Sequence, residues 1–460
     1  MTKDMTSGNP AKLILFFALP LIAGNIFQQF YSMADTVIVG RTIGVNALAA
    51  VGCTGSLTFF IMGFIIGFTT GLSIITAQRF GARDEEGVKK SFAAGILLSA
   101  AVAVILTVMA FFIARPALEL LHTPAEIIDD AESYLRVVFL GLSATVLFNL
   151  VSNMMRALGD SRIPLYFLVL ACCINIVLDF VLILIFRMGV AGAGVATVFS
   201  QLLSGICCCI FIRKKMPALW VSEKHFRLSS HEIIQHLKVA LPMAFQMSII
   251  AIGALILQAA LNGLGAVAVA AYTAAQKIDT IATMPINSMG SAMATYSAQN
   301  YGAGKISRIR KGVFQCILMS VSFSIIMGAV NILAGSQLAA VFVGKGETEV
   351  LRLAKTYLSI SGINYWILAL LFIYRFTLQG LGNSLVPTIA GTMELIMRAV
   401  AALFLAQHFG FAGACTANPL AWLGACVPLC IAYYLYIRKL ENKITYSEDK
   451  ISPYSAGKNI

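Results

Sequence analysis

The segment AQRFGARDEEGVKK, residues 77–90, returns as AQNYGAGKISRIRK at 298–311. Other stretches return at nearly the same displacement. Ala18-Leu19-Pro20 reappears as Ala240-Leu241-Pro242, ALGDSRIP (157–164) as GLGNSLVP (380–387), and GVAGAG (189–194) as GFAGAC (410–415). The chain is therefore one unit written twice.

Composition says what kind of unit this is. Of 460 residues, 59% are hydrophobic and 12% charged, against roughly 45–50% and 25% in a soluble domain. Nearly uncharged stretches of about 20 residues or more recur along the chain, each long enough at ~1.5 Å per residue to cross a bilayer core of about 30 Å. Twelve are expected, near 13–38, 52–77, 90–114, 132–155, 163–186, 190–212, 238–261, 267–297, 312–334, 351–379, 385–407 and 412–437. The alternating strands of a barrel are absent from the pattern, so the spans read as helices. The first is too long for a signal-peptide core and has no cleavage site after it, so it is expected to be retained.

The expected fold is an all-α integral membrane protein with twelve transmembrane helices in two pseudo-symmetric six-helix bundles. Six is even, so both copies start on the same side and are parallel repeats about an axis along the membrane normal. The expected domains are an N-terminal lobe at 1–212, a linker at 213–237, a C-terminal lobe at 238–437 and a polar tail at 438–460.

The formal charge of +12 could suggest a nucleic-acid partner, but its distribution argues against one. Lys and Arg gather at Lys3 and Lys12, at Arg79, Arg83, Lys89 and Lys90, at Arg156 and Arg162, at Arg213 to Lys215, at Lys305 to Lys311 and at Arg438 and Lys439. With the N-terminus inside, all of these fall on the cytoplasmic side. That asymmetry is the positive-inside rule; it predicts a plasma-membrane protein with both termini in the cytoplasm and no nucleic-acid partner.

Three motifs carry no chemistry. The ten cysteines lie in apolar spans without CxxC spacing and read as small hydrophobes. HEIIQH (231–236) sets His231 and His236 five apart, off one helical face, so it is not a zinc-protease motif and reads as solvated linker. GAGVAT (192–197) lacks the third glycine of a dinucleotide loop and reads as close helix packing.

One span does carry chemistry. ACCINIVLDFVLILIF (171–186) is apolar except for Asn175 and Asp179, one turn apart on one face. Depth can be measured from the outer flanking charges at ~1.5 Å per residue. Asp35 lies six residues from Arg41, about 9 Å; Asp179 lies eight from Arg187, about 12 Å; Thr197 lies ten from Arg187, about 15 Å. Asn175 is one turn deeper than Asp179. Four oxygen-bearing side chains thus reach similar depths in one bundle. Two carboxylates there repel unless a proton or cation sits between them, and the mixed oxygens suit a hard ion such as Na⁺. Pro20 removes a backbone hydrogen bond in mid-span and predicts a bend.

The repeated loop, RALGDSRIP after the fourth span, Pro20 and the two-times-six layout together resemble the MATE (multidrug and toxic compound extrusion) transporters of the wider MOP superfamily. The resemblance covers about residues 10–437. It implies cation-coupled antiport, driven by H⁺ and/or Na⁺, of bulky and often cationic amphipathic drugs by alternating access. It also implies that Asp35, Asn175, Asp179 and Thr197 form the N-lobe cation or proton site, and that Pro20 is a gating kink. No covalent chemistry and no cofactor beyond the coupling ion are implied, and a bacterial monomer in the lipid bilayer is expected. NorM-like members carry acids in the seventh and tenth spans, where this chain has Gln246, Gln258 and no acid. The resemblance is thus closer to the DinF-like branch.

The second half offers other polar residues. Glu394 and Arg398 share a face and read as an intramembrane ion pair. Lys277 and Asp279 cannot share one, so each needs a separate partner. Met247, Met289 and Met293, with Gln246 and Tyr296, suggest an adaptable substrate lining. A lipid-linked oligosaccharide flippase would need several deep cations, and only Lys277 and Arg398 are legible as such. An intramembrane enzyme would need a nucleophile–base or metal set, yet the spans hold no histidine except His408 at the outer end of the eleventh.

Overall fold

The protein is described by a computed structural model covering residues 3–121, 123–344 and 346–451, with side chains through Asn442. Every regular element among these residues is helical. Asn9 accepts from the Ala11 amide and caps α1 (Pro10–Thr42), which α2 (Val45–Gly81) follows. Asp84 accepts from the Gly87 amide and caps α3 (Glu85–Leu120). Next come α4 (Ile128–Leu140) and α5 (Leu142–Ala157), one span bent by 46°. The first half ends with α6 (Arg162–Phe180), which runs into a π turn at Val181–Ile185, and α7 (Gly189–Lys215).

The second half repeats the order. It comprises α8 (Ser230–Asn262), α9 (Ala266–Gly302), α10 (Ile306–Val343), α11 (Thr348–Gly380), α12 (Leu385–Val400) with its own π turn at Ala401–Leu405, α13 (Ala406–Cys415) and α14 (Ala417–Ile451). Among the described residues ten helical spans are long and apolar enough to cross a membrane, and the bent pair can supply an eleventh. α9, whose 37 residues include Gln276, Lys277 and Asp279 and many small polar side chains, is not among them, although the sequence reading expected a span there. The chain is an all-α, multi-span membrane protein.

Equivalent turns share one geometry. Gly159 and Gly382, in the two copies of the ALGDSRIP motif, sit at φ 83° and 82°. Only glycine takes this backbone region without strain. The halves meet where α2 packs on α8 and α9, and α1 on α9. The N-terminal segment and the α2–α3, α5–α6, α7–α8 and α9–α10 connections gather at one end, hereafter the basic end.

Details depart from the sequence reading. The expected unbroken span at 132–155 has its elbow at Gly141, where a Cβ would collide with Val198 of α7. The glycine admits α7 at the bend. The stretch at 213–237 includes two 3₁₀ turns, Pro217–Leu219 and Glu223–Phe226, before Ser229 caps α8 in a reciprocal box with Glu232. His236 is fully buried rather than solvated; it bonds Ser91 Oγ at 2.7 Å and the Glu232 carbonyl at 2.7 Å. Beyond 438, α14 continues to Ile451, and residues 452–460 lie outside the described residues.

Candidate ion site and its counterpart in the second half

Asp35 projects from α1, Asn175 and Asp179 from α6, and Thr197 from α7. The fold brings all four together. Asn175 Nδ2 donates to Thr197 Oγ1 at 3.3 Å, and the Asp35 and Asp179 carboxyls lie within hydrogen-bonding reach of each other. Asp179 and Asn175 are buried, whereas Asp35 is half-buried beside the exposed Met33 and Val37. Neither oxygen of Asp179, nor Oδ1 of Asp35, nor Oδ1 of Asn175 has a donor among the described residues. Two ionised carboxylates cannot donate to each other, so a shared proton or a bound cation is what this geometry accommodates. The donor set is all oxygen, as a hard ion requires.

Two members of this cluster were not legible in the sequence. Tyr31 Oη lies 3.2 Å from Thr197 Oγ1, and Tyr134 of α4 sits within electrostatic range of both carboxyls. Tyr31 falls one turn before Asp35, and that spacing was the only available signal. The π turn begins two residues after Asp179; such turns are frequent at functional positions. Pro20 and Pro242 each lie inside an unbroken helix.

The second half builds a different centre. Continuing the register of the ALGDSRIP repeat, Asn175 corresponds to Arg398 and Asp179 to Ala402. Glu394 receives two guanidiniums, Arg398 Nη2 at 2.9 Å and Arg375 Nη2 at 2.6 Å. All three side chains are buried. Arg375, five residues from the end of α11 at the basic end, is a buried cation the sequence reading missed.

The separate partners of Lys277 and Asp279 are also visible. Asp279 Oδ1 accepts from Tyr365 Oη at 2.6 Å, and Asn331 Nδ2 donates to the same hydroxyl at 2.8 Å. Lys277 Nζ stands 5.6 Å from the centre of the Phe342 ring.

The candidate lining residues scatter. Gln246 is buried, donating to the Pro387 carbonyl at 2.9 Å and accepting from Gln379 Nε2 at 2.7 Å. Met289, Met293 and Tyr296 are buried in one apolar cluster with Tyr365 and Trp422, and Tyr296 Oη donates to the Arg308 carbonyl. Met247 is half-buried and faces Gly63 of α2.

At the basic end the halves are in contact through the repeated motif itself. Gln78 Nε2 donates to the Gly380 carbonyl, and Gln299 Nε2 to the Ala157 carbonyl. Gly81 lies against the Gln299 backbone and Gly302 against the Gln78 backbone, too close for any Cβ. The N-terminal segment crosses this seam. Lys3 N donates to Leu158 O, Met5 N to Gln299 Oε1, and Lys305 Nζ to Thr6 O.

The MatE family model matches residues 20–181 and 242–404, and the chain belongs to that family. Among its relatives in Bacillus subtilis, the protein named Probable multidrug resistance protein YpnP is 30% identical over 66% of this chain and 68% of that protein. Probable multidrug resistance protein YoeA is 27% identical over 85% and 86%. A solved structure described as the outward-facing conformation of a multidrug resistance MATE family transporter of the MOP superfamily superposes with a TM-score of 0.89 at 22% identity. It covers 96% of this chain and 99% of that one.

Proposed function

We propose that this chain, a member of the MATE family, is a cation-coupled antiporter that exports amphipathic small molecules, many of them cationic, across a bacterial plasma membrane. The observation that carries this reading is the pairing of half-buried Asp35 with buried Asp179, where both oxygens of Asp179 and Oδ1 of Asp35 lack donors that a proton or Na⁺ would replace. Binding of the ion removes the repulsion between α1 and α6 and favours the conformations in which they pack closely. The lobes at 1–212 and 238–437 rock about the seam between them, and Pro20 supplies the flexible point in α1. With the basic end in the cytoplasm, the Gln78 and Gln299 contacts close the inner face, so the arrangement is an outward-facing state. The lack of acids in the apolar stretches 238–261 of α8 and 351–379 of α11 supports the DinF-like branch.

The test is efflux of ethidium from proteoliposomes under an imposed Na⁺ gradient and, separately, an imposed pH gradient. Efflux under at least one gradient, lost when that gradient is collapsed, is the expected result. No movement under either would refute the exporter reading.

A further inference from the structure

The two halves hold polar clusters of opposite charge, and Arg398 of the second takes the repeat position of Asn175 in the first. The first presents two carboxylates, Asp35 and Asp179; the second presents two guanidiniums, Arg375 and Arg398, against the single carboxylate of Glu394. With Glu394 ionised the triad keeps one uncompensated positive charge. A buried charge without a counter-charge is costly. Arg375 and Arg398 are 4% and 6% exposed, and the Nε–H of each finds no acceptor among the described residues. Opposite the guanidinium, α8 carries Gly253, where even a Cβ would come within 2.6 Å of Arg398 Nη1. The missing Cβ is what lets α8 pack directly on the guanidinium.

The other charged or titratable groups facing this centre come from α9 and α14. Asp279 and Arg398 both lie within electrostatic range of Tyr272, but Asp279 is held by Tyr365, and no hydrogen bond or ion pair joins it to either arginine. Cys426 of α14 lies within range of Arg375. Glu394 is thus the one carboxylate paired with the guanidiniums among the described residues.

The geometry points to a binding site for the anionic group of an amphipathic small molecule, a carboxylate, sulfonate or phosphate, held between Arg375 and Arg398 at the junction of α8, α11 and α12. A guanidinium pair offers such an oxyanion several donors in fixed planes, and an apolar cluster that includes Tyr365, Trp422 and Cys426 extends nearby. The site deepens the exporter reading by naming a substrate class. Export of an anion through the second half would leave the carboxylates of the first free to carry the coupling ion.

The probe is fluorescein, an anionic amphipathic dye, with ethidium as its cationic counterpart. Equilibrium binding of each is measured by fluorescence polarisation to the full-length protein in phosphatidylcholine nanodiscs. The expected result is saturable fluorescein binding that Arg398→Gln and Arg375→Gln each weaken about tenfold more than they weaken ethidium binding, the order of one charge-assisted contact. Glu394→Gln removes the internal competitor for both guanidiniums and is expected to tighten fluorescein binding, whereas a purely structural triad would give unchanged or weaker binding of both dyes. Fluorescein binding that is absent, or indifferent to all three substitutions, overturns the proposal. Arg398→Lys keeps the charge and serves as the test if Arg398→Gln does not fold; retained fluorescein binding supports the site, and its loss together with ethidium binding overturns it. Nanodiscs containing phosphatidylglycerol identify the natural source, since competition by that lipid assigns the site to headgroups and its absence to soluble amphiphiles; both results keep the anion site. Arginine-dependent fluorescein binding without ethidium or fluorescein transport in proteoliposomes would sink the exporter reading and leave the site standing.

Discussion

Gln78 and Gln299 occupy the same place in the two halves and make the same bond across the seam, Gln78 Nε2 to the Gly380 carbonyl at 2.9 Å and Gln299 Nε2 to the Ala157 carbonyl at 2.8 Å. Each glutamine starts in one half and ends on the last residue of a helix in the other. The repeated AQ-x-x-G signature is thus a pair of reciprocal contacts about a pseudo-two-fold axis, with the glycines allowing the backbones to touch. Gly81→Ala and Gly302→Ala each force a Cβ into a backbone carbonyl, beyond the ~1–3 kcal/mol of ordinary overpacking. Both are expected to cut dye efflux at matched expression at least roughly tenfold by disfavouring closure of the basic end. Gly52→Ala in the same helix meets nothing within 4 Å and is the control. Equal efflux from Gly81→Ala and Gly52→Ala would show that the seam is not a gate.

Asp35→Asn and Asp179→Asn each imitate the protonated partner and are expected to abolish gradient-driven efflux while leaving equilibrium ethidium binding in place. Two carboxyls that share one proton would titrate as a unit, so neither substitution is expected to leave a half-working site. Thr197→Ala is expected to weaken efflux only in part. Dye efflux from energised vesicles beside dye binding to purified variants decides; full efflux by either Asn variant rules out the coupling role.

Tyr31→Phe deletes a hydroxyl 3.2 Å from Thr197 Oγ1 and little else. A neutral hydrogen bond contributes about 0.5–1.5 kcal/mol, which predicts a loss in efflux of a few-fold, larger at limiting ion than at saturating ion. The ion-concentration dependence of initial rates is the measurement. A uniform fall at all concentrations would place Tyr31 outside the ion site.

Pro20→Ala restores a backbone donor in the middle of α1. If bending there is part of the cycle, the variant stays folded but exports more slowly. Pro242→Ala is the matched control, because the Pro242 carbonyl is already engaged by Thr388 Oγ1 at 2.8 Å. Efflux rates that match the parent at normal expression would remove the gating role.

Gln246→Ala is expected to lower the thermal midpoint in detergent rather than change which dyes are exported. Its side chain ties Pro387 to Gln379 inside the second half, and each buried polar group left unpaired costs about 1–3 kcal/mol. An unchanged midpoint with altered dye preference would return Gln246 to the substrate lining.

The sequence alone determined the membrane setting and the doubled unit, and because helix rise is fixed, counting residues from a flanking charge estimates how far along a span a polar residue lies. It could therefore bring Asp35, Asn175, Asp179 and Thr197 to one level. It could not say which faces of neighbouring helices meet. In a bilayer a greasy face can point to lipid or to another helix at little difference in hydrophobic free energy, so apolar periodicity does not mark the interior as it does in water. Only the tertiary structure could add Tyr31 and Tyr134 to the acid pair, bring Arg375 to Glu394, put Met289, Met293 and Tyr296 inside a packed cluster and set Tyr365 on Asp279. Those partners come from different helices, and their meeting is decided by helix rotation, elbows such as Gly141 and the π turns after Phe180 and Val400, which no local residue pattern announced.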